Sequence, residues 1–158
     1  MPPPLLFDLD QIDLSQIVLT KERIYELLPH REQFTLLDGA FHVDLEAERL
    51  LAFHDVKPDA WWVKGHVPGR PLLPGVLMLE MAAHCSAVLA HLLRNDLKMF
   101  IGFGGVDACK FREVVAPPAR LYLLCQLTEN RLRRVMALTQ GVVNGVLAFE
   151  ATITGLRM

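Results

Sequence analysis

Apolar residues fall into two kinds of run along this chain. Six stretches have the residue types and spacing of strands, and they cover residues 34–43, 49–54, 99–111, 121–128, 133–143 and 146–154. Residues 75–94 are apolar nearly all round, which predicts a buried helix. A shorter helix is predicted over residues 21–28, with Thr20 as its N-cap and Pro29 as its stop. One long helix among antiparallel strands is an α+β arrangement.

The segments between these runs divide the chain. Residues 1–19 are rich in Pro and then in Asp and Gln, so we expect an extension with little structure of its own before a single domain over residues 20–158. Three apolar positions in the extension could dock on that domain: Ile12, Leu14 and Ile17. Residues 56–74 form a long loop, and loops of that length are commonly functional. Asn144-Gly145 is a strong signal for a two-residue hairpin turn.

Composition narrows the class of protein. Of the 158 residues, 52% are hydrophobic, and this surplus predicts a subunit interface as well as a core. The formal net charge of −2 argues against nucleic-acid binding. No run approaches the ~18 apolar residues that span a bilayer, so we expect no membrane insertion. Three cysteines without metal-like spacing and no evident secretory signal predict a cytoplasmic protein.

The candidate chemistry lies between His66 and Glu80. Three prolines and two glycines separate these residues, so the loop that carries the histidine has a defined shape. A neutral imidazole can take a proton next to a carbonyl near neutral pH. A protonated carboxylic acid can help a hydroxyl leave as water, and burial in an apolar helix is expected to raise the pKa of Glu80.

The start of the long helix is a candidate oxyanion site. Backbone N–H groups near Gly75 and Val76 have no partner within the helix and could hold a developing enolate oxygen. Glycine at position 75 removes a side chain that could block a thioester carbonyl. His84 lies four residues after Glu80 on the same helix face, so it either makes a simple hydrogen bond or orients the carboxyl group, and we expect it to be neutral.

Histidines also recur at twelve-residue intervals, at positions 30, 42, 54 and 66. They belong to different predicted elements, and no Cys or His ligand spacing accompanies them. We therefore expect no metal site.

The segment from His66 to Glu80 resembles the signature of the β-hydroxyacyl-[acyl-carrier-protein] dehydratases of the FabZ type, in the hotdog-fold FabA/FabZ family. Three further segments agree in order: Leu27-Leu28-Pro29-His30-Arg31, Phe34-Thr35-Leu36-Leu37-Asp38 and Asp107-Ala108-Cys109-Lys110-Phe111-Arg112. The similarity covers roughly residues 20–157. It implies a hotdog fold, in which a long central helix is wrapped by a curved antiparallel sheet.

The resemblance also implies an activity and an assembly. The expected reaction is dehydration of a (3R)-3-hydroxyacyl thioester to the trans-2-enoyl thioester, in fatty-acid or related lipid biosynthesis. His66 and Glu80 would be catalytic and would come from different subunits of a homodimer, or of a trimer of dimers. Substrate contacts are expected from Val67, Pro74, Gly75, Val76 and His84. The acyl group would arrive on acyl carrier protein or CoA, so that its phosphopantetheine belongs to the substrate and no cofactor is needed.

Several positions depart from the pattern of the family. Glutamine is usual where His84 stands, Phe where Val67 stands, and Arg-Pro where Glu113-Val114 stands. A carboxylate at position 113 weakens a basic surface that would meet an acidic carrier. Two other functions therefore stay open, a hotdog acyl thioesterase and a non-catalytic acyl-carrier-binding module.

Overall fold

A single antiparallel sheet of seven strands surrounds one long helix in the computed structural model, which describes residues 1–95 and 99–158. The strands are β1 (Leu19–Thr20), β2 (Gly39–Asp44), β3 (Arg49–Val56), β4 (Ile101–Phe111), β5 (Ala119–Asn130), β6 (Arg134–Val143) and β7 (Val146–Arg157). They are arranged in the order β1-β2-β3-β5-β6-β7-β4. The helices are α1 (Lys21–Leu27), α2 (Val63–His66) and α3 (Gly75–Leu93).

The two predicted helices are confirmed. Helix α1 begins where the cap was expected, because Thr20 Oγ1 accepts a hydrogen bond of 3.2 Å from the backbone N–H of Arg23. Helix α3 ends one residue before the predicted end and contacts strands β3 to β7, so the sheet encloses it. The predicted turn at Asn144-Gly145 is also present, with φ values of 50° and 75° that these two residue types tolerate.

The sequence pattern did not predict three short elements of the structure. Residues Glu32–Phe34 form a 3₁₀ turn, so the strand predicted to begin at residue 34 begins only at Gly39. The loop predicted over residues 56–74 contains α2, which carries His66. The two-residue strand β1 lay outside every predicted run, and it is defined by its pairing with β2. Such short elements depend on tertiary contacts rather than on a local pattern.

The extension before the domain is more ordered than we expected. The backbone N–H of Leu6 donates to Gln140 Oε1 over 2.8 Å, and Gln140 Nε2 donates back to the carbonyl of Pro4 over 3.0 Å. Leu6, Phe7, Leu9 and Ile12 pack on the face of the sheet that points away from α3. Of the three predicted docking positions, Ile12 joins this cluster, whereas Leu14 and Ile17 are exposed.

Helix α3 corrects one expectation about membranes. Over its 19 residues it is long and apolar enough to cross a membrane by length and composition alone. Sixty-one per cent of its most apolar window is buried inside the protein, as in the core helix of a folded domain. Its apolar character therefore reflects burial against the sheet.

Candidate active site

The loop that carries His66 selects one tautomer of its ring. It closes helix α2, and its side chain is exposed. Its Nδ1 lies 2.8 Å from the carbonyl oxygen of Leu72. A carbonyl can only accept a hydrogen bond, so Nδ1 carries the proton of the neutral ring. The lone pair is then on Nε2, where it is available to a substrate.

The loop between His66 and α3 is fixed at both ends. A tight turn closes it, since the backbone N–H of Arg70 donates to the carbonyl of Val67 over 2.9 Å, with Gly69 at φ +80° inside the turn. Farther along, the N–H of Leu73 donates to the carbonyl of Val115 over 2.8 Å, which ties the loop to the segment after β4. These hydrogen bonds give the loop the defined shape that the sequence predicted.

Glu80 lies at the end of a chain of hydrogen bonds from helix α1. The N–H of Leu37 donates to Tyr25 Oη over 2.8 Å, and Tyr25 Oη is 3.0 Å from His84 Nδ1. His84 Nε2 is 3.1 Å from Glu80 Oε1. Burial raises the pKa of Tyr25, so its hydroxyl keeps its proton and can donate it to Nδ1. This arrangement puts the hydrogen of a neutral His84 on Nε2, directed at the carboxylate.

The expected direction of the Glu80 pKa was wrong. The hydrogen bond from His84 lowers the pKa of this carboxyl group more than burial raises it, and the nearby His30 also favours the charged form. The Glu80 side chain is only partly buried, with 26% of its surface exposed, so desolvation is incomplete. In the free chain Glu80 is therefore a carboxylate at neutral pH.

His30 is the third member of this cluster. Its Nε2 lies 3.6 Å from Glu80 Oε1, and its ring contacts that of His84 with centroids 3.9 Å apart and a tilt of 36°. Burial lowers the pKa of His30, which favours its neutral form. Among the described residues, His30, Glu80 and His84 bring three possible metal-ligand atoms within 4.8 Å of one another.

The start of α3 has the two backbone donors that were expected of it. Among residues 1–95 and 99–158, the N–H groups of Gly75 and Val76 have no hydrogen-bond acceptor, whereas those of the next two residues bond to Pro74. Pro74 is buried and Val76 is 70% exposed. A Cβ at position 75 would lie 2.8 Å from the ring of Phe111. Within one chain a side chain at position 75 would therefore meet Phe111, and the expected effect on a thioester carbonyl stays a prediction.

The expected site residues do not all come together in one chain. In the part of the chain that the structure describes, no hydrogen bond or ion pair joins His66 to Glu80. Val67 accepts the turn hydrogen bond at the start of the loop. His84 is only 1% exposed and both of its ring nitrogens have protein partners, so its position differs from that expected of a substrate-binding residue.

Two residues of the cluster were not predicted as site residues. Tyr25 had no signal in the sequence, because it is 59 positions from the histidine that it contacts. His30 stands in the Leu27–Arg31 segment that agrees with the family pattern, but its twelve-residue spacing gave no reason to connect it with Glu80. A cleft of about 650 Å³ opens beside His30 and is lined also by Arg31, Ala87 and His91.

Comparison with known sequences gives one consistent answer. A model of the FabA-like domain matches residues 28–152. The chain is 38% identical over 136 residues to 3-hydroxyacyl-[acyl-carrier-protein] dehydratase FabZ of Enterococcus faecalis, an alignment that covers 86% of this chain and 96% of that protein.

Comparison with solved structures supports the hotdog fold. A chain of the dehydratase heterocomplex ApeI:P from Xenorhabdus doucetiae superposes with a TM-score of 0.74 at 16% identity, covering 89% of this chain and 91% of that one. A putative thioesterase from Ralstonia eutropha superposes with a TM-score of 0.60 at 17% identity, covering 74% and 82%. At these identities the similarity shows the fold, which dehydratases and thioesterases share.

Proposed function

The chain belongs to the FabA-like family, and on that premise we propose that it is a hydro-lyase that converts a (3R)-3-hydroxyacyl thioester into the trans-2-enoyl thioester. The observation that carries the proposal is the hydrogen bond from His66 Nδ1 to Leu72 O, which leaves Nε2 as a base on an exposed, rigid loop. In the reaction Nε2 takes the proton next to the thioester carbonyl.

Glu80 is the acid that completes the elimination. The carbon–oxygen bond breaks as Glu80 gives a proton to the hydroxyl, which leaves as water. The forward reaction needs that proton on Glu80, and a bound substrate favours the protonated form because it displaces the water that reaches the carboxylate. The N–H groups of Gly75 and Val76 supply donors for the enolate oxygen that develops on the thioester.

We propose that two chains together form the site that holds these groups. Within one chain His66 and Glu80 have separate hydrogen-bond partners, and the family resemblance implies a site shared between subunits. Strand β4 supports this assembly, since it lies at an open edge of the sheet and exposes Phe103, Val106 and Phe111. An exposed apolar edge strand is suited to pairing with a second copy. We therefore propose a homodimer, on which a trimer of dimers could be built.

The relative from Enterococcus faecalis is named for substrates carried on acyl carrier protein, and we propose the same carrier here, with CoA thioesters as the alternative. The phosphopantetheine arm then arrives with the substrate, and the elimination needs no redox cofactor. The proposed setting is lipid biosynthesis in the cytoplasm.

A spectrophotometric assay tests the proposal. The absorbance of the enoyl thioester is followed with 3-hydroxyacyl and trans-2-enoyl substrates on both carriers, for the wild type, His66→Ala and Glu80→Gln. Interconversion by the wild type that both variants lose while remaining folded supports the assigned roles. Release of free thiol without interconversion would identify a thioesterase, and binding without any turnover would identify a carrier-binding module.

A further inference from the structure

Two histidines beside Glu80 could bind a metal ion together with its carboxylate, a property that the proposed dehydration does not require. Two imidazole nitrogens face one carboxylate oxygen, with distances to Glu80 Oε1 of 3.1 Å from His84 Nε2 and 3.6 Å from His30 Nε2. Two ligands bound tetrahedrally to Zn²⁺ at about 2.0–2.1 Å lie about 3.4 Å apart. The two distances to Oε1 are thus close to those around one ion, and all three ligand atoms lie within 4.8 Å of one another. Two histidines with one glutamate are an established zinc ligand set.

The histidine at position 84 is already oriented as a metal ligand needs to be. Its Nδ1 contacts Tyr25 Oη, which in turn accepts a hydrogen bond from the backbone of Leu37. Metal-bound histidines commonly hold their other ring nitrogen in such a contact, which fixes the direction of the ring. A tyrosine hydroxyl can both donate and accept, so it can accompany the tautomer with Nε2 free to bind an ion.

The histidine at position 30 has an unexplained polar atom. Its Nδ1 is buried and has no hydrogen-bond partner among the described residues. The atom assigned to the ion is Nε2, so Nδ1 is left to a water, which would fix the ring as the second nitrogen of a metal-bound histidine is commonly fixed. His30 also lines the neighbouring cleft, so one member of the cluster faces an open space.

We propose that His30, Glu80 and His84 form a binding site for one divalent transition-metal ion, best suited to Zn²⁺, and that the bound ion inhibits the enzyme. Nitrogen and carboxylate ligands suit Zn²⁺ better than Mg²⁺ or Ca²⁺, which prefer all-oxygen sites. The ion takes the carboxylate that must carry the proton for dehydration. This inhibitory consequence rests on the proposed function, whereas the metal site itself does not.

Calorimetry with Zn²⁺ alone tests the site without reference to activity. The full chain, freed of any tag and treated with a chelator, is titrated with zinc chloride as the wild type and as four variants. The wild type should bind one ion per chain. Tyr25→Phe should weaken binding by about 10- to 100-fold, because it removes a contact to a ligand, and His30→Gln and His84→Gln should weaken it more. His91→Gln, on the same helix but outside the cluster, is the matched control and should bind as the wild type does.

The possible results are distinct. Absence of binding by the wild type would overturn the site. Equal binding by the wild type, His30→Gln and His84→Gln would also overturn it, because the ion would then be bound elsewhere, such as on the cysteines. If binding follows the predicted order, the rate of enoyl-thioester hydration should fall with occupancy and return with chelator. Full activity with the ion bound would overturn the inhibitory role. Normal binding by a chain with no dehydratase activity at any Zn²⁺ level would overturn the proposed function and support the metal site.

Discussion

The two candidate catalytic side chains are positioned in opposite ways. His66 is exposed, and its one fixed hydrogen bond reaches a carbonyl only six residues away. Glu80 is half-buried, and the groups that orient it come from helix α1, the segment after it and the middle of α3. The base thus depends on the local shape of a loop, whereas the acid depends on the packing of three distant segments.

Because of this difference, substitutions at the two side chains should differ in their effect on folding stability. A group on an exposed loop can be removed with little effect on the fold, because few contacts are lost with it. A group in a buried polar network cannot be removed so freely, since its partners are left without hydrogen bonds in a region of low dielectric. Substitution of His66 should therefore affect mainly activity, whereas substitution in the Glu80 network should affect mainly the free energy of unfolding.

The largest effect is expected from removing the base. His66→Ala should lower kcat/KM for dehydration by about 10²- to 10⁴-fold, the usual contribution of a positioned general base. The free energy of unfolding should stay within about 0.5 kcal/mol of the wild-type value, because the side chain is exposed. Steady-state kinetics and urea denaturation measure the two quantities. Lys64→Ala, in the same short helix, serves as the control, and an equally large loss of activity there would contradict the assignment.

Removing the tyrosine hydroxyl should show the opposite behaviour. Tyr25→Phe leaves the Leu37 N–H and His84 Nδ1 without their partner, and this should lower the free energy of unfolding by about 1–3 kcal/mol. The chain has one other tyrosine, so Tyr122→Phe is the matched control, and it should cost less because Tyr122 is not fully buried. Equal destabilisation by the two substitutions in urea would show that the hydrogen bonds of Tyr25 are unimportant.

The loop of His66 can be perturbed without touching the histidine. Gly69 has φ +80°, and a Cβ added there would have no neighbour within 4 Å, so Gly69→Ala adds backbone strain alone, about 1–2 kcal/mol. It should also lower activity through displacement of His66. Gly65→Ala is the control, because Gly65 lies within α2 at a φ that alanine accepts, and it should be neutral or stabilising. Similar effects at both glycines would contradict a role for the turn.

The smallest effect is expected at the cap of α1. Thr20→Ala removes the hydrogen bond to the N–H of Arg23 and should cost about 1 kcal/mol. Because α1 carries Tyr25, the Glu80 network should loosen slightly with it. The change can be measured by thermal unfolding, with the exposed Thr128→Ala as the control. A cap substitution without any effect would separate the stability of α1 from the position of Tyr25.

The sequence predicted the regular elements well where the pattern is local. The boundaries of α3, the hairpin at Asn144-Gly145 and the run of long strands all follow from residue types within each segment. It could not predict β1 or the docking of Leu6 and Phe7, because these depend on surfaces that exist only once the sheet has formed. The placement of β4 next to β7 is likewise a property of the whole sheet.

The candidate site likewise has features that follow from a local motif and features that depend on tertiary packing. The stiff loop and the backbone donors at Gly75 and Val76 could be predicted from a short motif. The ionised state of Glu80 could not, since its expected pKa came from burial alone and omitted the competing hydrogen bond from a fixed His84. Tyr25 and His30 reach that carboxyl group only through the packing of α1 and the segment after it against α3.

The most direct test of the central claim, that one site combines His66 of one chain with Glu80 of another, is complementation between two inactive variants. His66→Ala and Glu80→Gln chains are co-expressed with different tags, and the mixed dimer is purified through both tags and assayed for hydration of a trans-2-enoyl thioester. One of its two sites then keeps both residues, so we expect about half of the wild-type rate per dimer. A mixed dimer as inactive as its two parents would contradict the shared site.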